Sequence, residues 1–165
     1  MRLARPSDLD RIVAIYNATI PLRIATADTE PVTVAGRRAW FDAHDPRRRP
    51  IYVVEADGQV VAWLSFSDVV GRPGYAGTAE LSLYVDAARR GRGLGSAMLG
   101  EAIDCAPSHG ISTIIGLVFA HNAVSLRLMR RFGFEDWGYL PDVVEMDGQS
   151  YSVAILGRKL SRPGA

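Results

Sequence analysis

A strand-like run, Leu83-Tyr84-Val85, passes through Asp86-Ala87-Ala88-Arg89-Arg90-Gly91-Arg92-Gly93 into a helix-like run that starts at Leu94. Glycines stand at alternate positions of this junction, Gly91, Gly93 and Gly95, and Arg89, Arg90 and Arg92 flank them. The junction constrains the fold more than any other segment, because it demands a strand, a tight turn and a helix in immediate succession. A helix start leaves about four backbone N–H groups unpaired and carries partial positive charge. Glycine lets a bulky anion reach that backbone, and arginines beside it add charge-assisted hydrogen bonds. The stretch from Arg90 to Ser96 therefore suits a phosphate or pyrophosphate.

The surrounding segments alternate between two periods. Met1–Ala4 reads as a short strand, and Pro6-Ser7-Asp8 opens a helix with Leu9, Ile12, Val13 and Tyr16 on one face. Thr19–Pro31 has no clear period and reads as a loop or broken helix. Thr33 caps a second helix that turns Trp40 and Phe41 inward. Ile51–Glu55 and Val60–Phe66 form a hairpin about Asp57-Gly58, and Thr78–Val85 is a third long strand. Beyond the glycine turn come a helix to Cys105, a strand at Ile111–Val118, a helix capped by Asn122, and strands at Phe134–Tyr139 and Tyr151–Leu156 about Asp147-Gly148. The order β-α-α-β-β-β-α-β-α-β-β describes one α/β (α+β) domain spanning 1–165. Its mixed central sheet has six to seven strands, with about four flanking helices.

Composition removes several function classes. Nineteen basic and eighteen acidic residues leave a net charge of +1, so no whole-chain basic excess speaks for a nucleic-acid partner. No run reaches the roughly 18 apolar residues of a membrane span. The single Cys105 permits no internal disulfide and suggests a reduced, cytoplasmic setting. His44, His109 and His121 lie far apart without cysteine partners, so no metal site is expected.

Among nucleotide motifs, a P-loop needs a lysine that this turn lacks, and the dinucleotide fingerprint needs G-x-G-x-x-G, whereas Gly91-Arg92-Gly93-Leu94-Gly95 reads G-x-G-x-G. What fits is Arg/Gln-x-x-Gly-x-Gly/Ala, here Arg90 to Gly95. With it come Ile15-Tyr16-Asn17, Thr26-Ala27-Asp28-Thr29-Glu30-Pro31, Glu80–Val85, Asn122-Ala123-Val124-Ser125 and Arg131-Phe132-Gly133-Phe134. In this series, from about Arg2 to Leu160, the chain resembles the GNAT acyltransferases, and within them the phosphinothricin acetyltransferase-like group.

The resemblance implies an acetyl-CoA-dependent N-acetyltransferase with no metal, acting by direct attack of a small-molecule amine, an amino acid or close analogue, on the thioester. In this family two neighbouring strands splay into a wedge that receives the pantetheine like an added strand. Leu83, Tyr84 and Val85 would pair with it by backbone. Arg90, Gly91, Arg92, Gly93, Leu94, Gly95 and Ser96 would hold the pyrophosphate, with Asn122 and Ser125 as further CoA contacts. Asn122 is also a favoured N-cap, worth about 1 kcal/mol over alanine. An alkyl amine titrates at about 10, so a base must take its proton near neutrality. Glu80 matches the family's acidic residue. A partly buried carboxylate there would have a raised pKa and be a better base.

The sequence also departs from the pattern. Met129 stands where relatives carry a tyrosine or histidine general acid; Tyr84, Tyr139, Tyr151 or water could substitute, or no acid is required. Arg23, Arg72 or Arg47–Arg49 could meet a substrate carboxylate, and the loop Thr19–Glu30 with Thr26 and Asp28 lies where relatives build the acceptor pocket. Ser150 and Ser152 occupy a stretch that usually holds Trp and Asp, which speaks against phosphinothricin itself. Homodimerisation is a further implication. The competing readings are a protein or peptide N-acetyltransferase and a non-catalytic acyl-CoA sensor.

Overall fold

The computed structural model describes residues 1–160; positions 161–165 of the domain lie outside the described residues. Seven strands form one sheet: β1 (Arg2–Leu3), β2 (Ile51–Ala56), β3 (Gln59–Asp68), β4 (Thr78–Val85), β5 (Thr113–Phe119), β6 (Glu135–Met146) and β7 (Gln149–Lys159). Their spatial order is β1-β2-β3-β4-β5-β7-β6, and only the β4–β5 pair is parallel. Four α-helices accompany them: α1 (Leu9–Asn17), α2 (Val34–Asp42), α3 (Leu94–Cys105) and α4 (Ala123–Arg131). The expected element order is observed throughout.

Strand β3 divides the core in two because its side chains alternate between faces. Ala62, Leu64 and Phe66 join Met98 and Leu99 of α3 and Leu126 and Met129 of α4. Trp63 points the other way, into a cluster with Ile12, Ile15 and Tyr16 of α1 and the partly buried Trp40 of α2. Thr33 caps α2 as expected, its hydroxyl accepting from the Gly36 N–H at 3.0 Å.

Two strands run longer than the hydrophobic pattern predicts. β6 continues through Pro141 to Met146, and β7 extends from Gln149 to Lys159. The chain absorbs the proline in a bulge between Leu140 and Val144, on an edge strand where an absent N–H is tolerated. Asp142 takes φ 49° there, and Ser152 of β7 clasps it by accepting from its N–H and donating to its carboxylate, both at 3.0 Å. The unperiodic segment after α1 contains a 3-10 turn at Ile20–Leu22, after which Arg23 adopts φ 51°.

Candidate active site

The parallel pair β4–β5 is short. Thr78, Ala79 and Glu80 align with Thr113, Ile114 and Ile115, and the register ends there. β4 stays on β3 as far as Val85 opposite Ala62, and β5 stays on β7 as far as Phe119 opposite Val153. The two strands therefore part beyond Glu80, leaving Leu81–Val85 and Gly116–Phe119 as the walls of a wedge. A cavity of about 370 Å³ occupies it, lined by Leu83, Tyr84, Leu117, Phe119, Asn122 and Ser125 among others.

The glycine turn closes one end of β4. Gly91 and Gly93 have φ 74° and 79°, and a Cβ on either would meet no atom within 4 Å. Gly93 is the N-cap of α3 and supplies no side-chain cap. The first backbone bond of the helix runs from the Ala97 N–H to the Gly93 carbonyl, so the N–H groups of Leu94, Gly95 and Ser96 have no acceptor among the described residues. Gly95 differs from the other two: a Cβ there would lie 3.7–3.8 Å from Leu83, Val85 and Leu128. The three arginines are not equivalent either. Arg89 pairs with Asp57 at 2.6 Å and Arg90 donates to the Val85 carbonyl at 3.2 Å, whereas Arg92 is exposed and has no partner among the described residues.

Glu80 sits at the apex where the strands begin to part. Its carboxylate is half-buried and makes no hydrogen bond or ion pair among the described residues, and burial raises its pKa above the ordinary carboxylate value. Opposite it on β3 stands Ser67, followed along the ladder by Ser65 facing Ser82 and Trp63 facing Tyr84. Directly opposed residues share a face. Glu80 and Tyr84 thus lie on the side of the sheet covered by α1 and α2, where Tyr84 stacks on Trp63 at 4.5 Å.

The acetyltransferase (GNAT) family model matches residues 12–134. The Bacillus subtilis (strain 168) protein named "Putative phosphinothricin acetyltransferase YwnH" is 50% identical over 162 residues, covering 98% of this chain and 99% of that protein. The L-methionine sulfoximine/L-methionine sulfone acetyltransferase of Pseudomonas paraeruginosa is 37% identical, over 90% of this chain and 87% of that one. The structure of a GNAT superfamily phosphinothricin acetyltransferase from Sinorhizobium meliloti in complex with AcCoA superposes with a TM-score of 0.91 at 26% identity, covering 99% and 89%. The chain belongs to the GNAT acetyltransferase family.

It is an acetyl-CoA-dependent N-acetyltransferase, and its residues suit that cosubstrate: an open strand edge walls the wedge, and three free N–H groups with the exposed Arg92 stand at its end. No group of metal-ligating side chains occurs among the described residues. No helix among them is long and apolar enough to cross a membrane.

In this GNAT enzyme the loop that the resemblance assigns to the acceptor pocket roofs the wedge. Ile24, Ala25, Thr26 and Ala27 line the cavity, and their segment is tied down from three directions. Asn122 donates to the Ile24 carbonyl at 2.8 Å while its Oδ1 caps α4 by accepting from the Ser125 N–H at 3.1 Å. His121 Nε2 lies 2.8 Å from the Arg23 carbonyl, and the Tyr84 hydroxyl donates to Ala25 at 3.3 Å. Tyr16 donates to Asp28 at 2.6 Å and lies 2.5 Å from the Thr26 hydroxyl. Arg23 holds the tip of the β6–β7 hairpin through Asp147 at 2.7 Å. His121 belongs to no motif, so only its spatial neighbours reveal it, whereas Thr26 and Ala27 stand in the Thr26–Pro31 piece of the resemblance.

Of the tyrosines weighed as proton donors, only Tyr84 lines the wedge; burial pushes its phenol well above the ordinary range, which makes it a poor acid. Tyr151 donates to Gln149 and Tyr139 is exposed on β6. Met129 lines the wedge and fills the space over Gly116, where an added Cβ would clash with its Cε and Sδ. Gly116→Ala is therefore expected to drive the flexible Met129 tip into the wedge. The KM for acetyl-CoA should rise several-fold, about 1 kcal/mol, with little change in Tm; steady-state kinetics and a melt together check this.

Proposed function

We propose that the enzyme acetylates the amino group of a small amino acid or amino-acid analogue, with Glu80 as the general base. The observation that carries this reading is an unpartnered, half-buried carboxylate at the point where β4 and β5 separate. Acetyl-CoA, when bound, supplies an activated acetyl thioester. Glu80 takes the acceptor's ammonium proton, directly or through one water, and so exposes the nitrogen lone pair that attacks. Its raised pKa makes it a stronger base than a free glutamate. Leu83–Val85 would receive the pantetheine by backbone, with Arg90–Ser96 at the pyrophosphate and Asn122 and Ser125 beside it.

The relatives' names favour a small amino-acid-like acceptor over a peptide. Among the arginines considered for its carboxylate, Arg23, Arg48 and Arg49 are engaged by Asp147 and Asp68. That leaves Arg47 and Arg72, together with Arg37, whose guanidinium rests over the Tyr16 and Trp40 rings at 4.7 and 4.3 Å. Thiol release from acetyl-CoA over free amino acids, methionine sulfoximine, phosphinothricin, polyamines and a histone-type peptide tests the reading. Turnover confined to amino-acid-like acceptors supports it; a preference for the peptide, or no turnover by protein that binds CoA, refutes it.

The same reading makes the enzyme a cytoplasmic homodimer. β6 is an edge strand that exposes Leu140 and Val143 by 39% and 54%, an apolar margin of the wedge that a second copy would cover. Sedimentation at micromolar concentration should give twice the chain mass, and Val143→Glu should return the monomer.

A further inference from the structure

The net reaction releases one proton per turnover, since an ammonium and a thioester become an amide and a thiol. A half-buried Glu80 that takes this proton must hand it on before the next cycle. Two side chains on the same face of the sheet offer a route.

His44 lies just beyond α2, its ring packed edge-on against Trp40 at 4.6 Å. Its Nδ1 is 2.8 Å from the Trp40 carbonyl oxygen. A carbonyl only accepts, so Nδ1 carries the hydrogen and, in the neutral ring, Nε2 presents a lone pair. That lone pair faces the Ser67 hydroxyl at 3.4 Å. Ser67 in turn stands directly opposite Glu80. Opposed residues have Cβ atoms about 5 Å apart, and since the two side chains make no direct hydrogen bond, one water would span the gap between hydroxyl and carboxylate.

Resting on the assignment of Glu80 as base, we propose that Ser67 and His44 form the exit path for the acceptor's proton. The protonated Glu80 passes its proton through one water to the Ser67 oxygen, Ser67 passes its own hydrogen to His44 Nε2, and the imidazolium releases its Nε2 proton to solvent. Glu80 returns to carboxylate, Ser67 to hydroxyl and His44 to the neutral ring, so the path is restored after each turnover.

The electrostatics agree with the direction of flow. Burial lowers the His44 pKa, the bond to the Trp40 carbonyl works against this, and the Arg37 charge on α2 lowers it further, so the net shift favours the neutral ring that accepts and disfavours a lasting cation. The groups facing the ring are Arg37 from α2, Ser67 from β3 and, through Ser67, Glu80 from β4. The next residue of β3, Asp68, is held by Arg48 and Arg49. His44 acts through Ser67 and is a positioning residue rather than a catalytic one.

His44→Asn keeps an N–H for the Trp40 carbonyl and removes Nε2, and Ser67→Ala removes the bridging hydroxyl. Each variant should lose about tenfold in kcat, less than the roughly 10²–10⁴-fold that a direct general acid or base supplies, with both KM values unchanged. Added imidazole should restore His44→Asn, and Ser67→Thr should recover most of the loss from Ser67→Ala. A purely structural His44 would show neither rescue nor a kcat effect separate from Tm. Full kcat in both variants, beside an inactive Glu80→Gln, overturns the exit path and leaves the base in place. Full activity in Glu80→Gln overturns both.

Discussion

Glu80→Gln is expected to lower kcat by about 10²–10⁴-fold, the range for loss of a general base, while acetyl-CoA binds as before. The substitution preserves size and shape between Ser67 and Ile115, and Glu80 does not line the cavity of the wedge, so calorimetry should return an unchanged Kd for CoA. Stability should move the other way. Burial raises the folded-state pKa of Glu80 above its unfolded value, so the ionised form destabilises the fold. That penalty is absent below the unfolded pKa of a glutamate and is fully present above the raised folded value. Gln carries no such penalty, so its Tm should exceed wild type at neutral pH and the difference should vanish in acid. The same shift governs activity: kcat/KM should climb with pH along a limb set by Glu80, displaced above an ordinary carboxylate, and Glu80→Gln should lack it. A variant that loses turnover and Tm together would mean a glutamate that holds the fold. A sensor without catalysis would have no turnover to lose.

How much of this was legible before the fold was known depends on how local each feature is. Thr78–Val85 and the α2 cap at Thr33 read correctly because strand alternation and an N-cap are decided within a few residues. The hairpin turns at Asp57-Gly58 and Asp147-Gly148 did so too, each pair adopting the positive φ angles that such turns require. The strand expected at Phe134–Tyr139 runs on through Pro141 to Met146, because it is an edge and the chain bulges, and neither is visible before topology. The separation of β4 from β5 is non-local in the same way. Nothing in Leu81–Val85 distinguishes a paired strand from an open one, and family resemblance alone supplied that expectation. The His44–Ser67 contact joins residues far apart in sequence and carries no motif, whereas the Ile24–Ala27 roof falls in the Thr19–Glu30 loop that the resemblance had assigned to the acceptor pocket.

Gly93→Val should weaken acetyl-CoA binding by about tenfold or more, whereas Gly95→Ala, two residues on, should leave it within about twofold, near the error of the free energies involved. In sequence the two glycines look alike. In the fold Gly93 has φ 79°, a left-handed backbone that costs an ordinary residue about 1–2 kcal/mol and a β-branched one more. The turn can relieve that strain only by rotating, which re-aims the N–H groups of Leu94, Gly95 and Ser96 that await an anion. No atom of the described residues lies within 4 Å of a Cβ at 93, so loss of binding there would come from backbone conformation and obstruction of the ligand, not from a packing clash. Gly95 lies inside α3 with ordinary contact distances of 3.7–3.8 Å to Leu83, Val85 and Leu128. A methyl fits that space, and alanine gains up to about 1 kcal/mol over glycine in a helix. Gly95→Ala should therefore melt slightly higher and bind normally, in keeping with the Gly/Ala tolerance of the motif at that position. Calorimetric Kd values and melts for the two variants separate an anion cradle made by backbone conformation from one made by mere absence of side chains. Equal losses at both positions would mean that space, and not the left-handed turn at Gly93, admits the pyrophosphate.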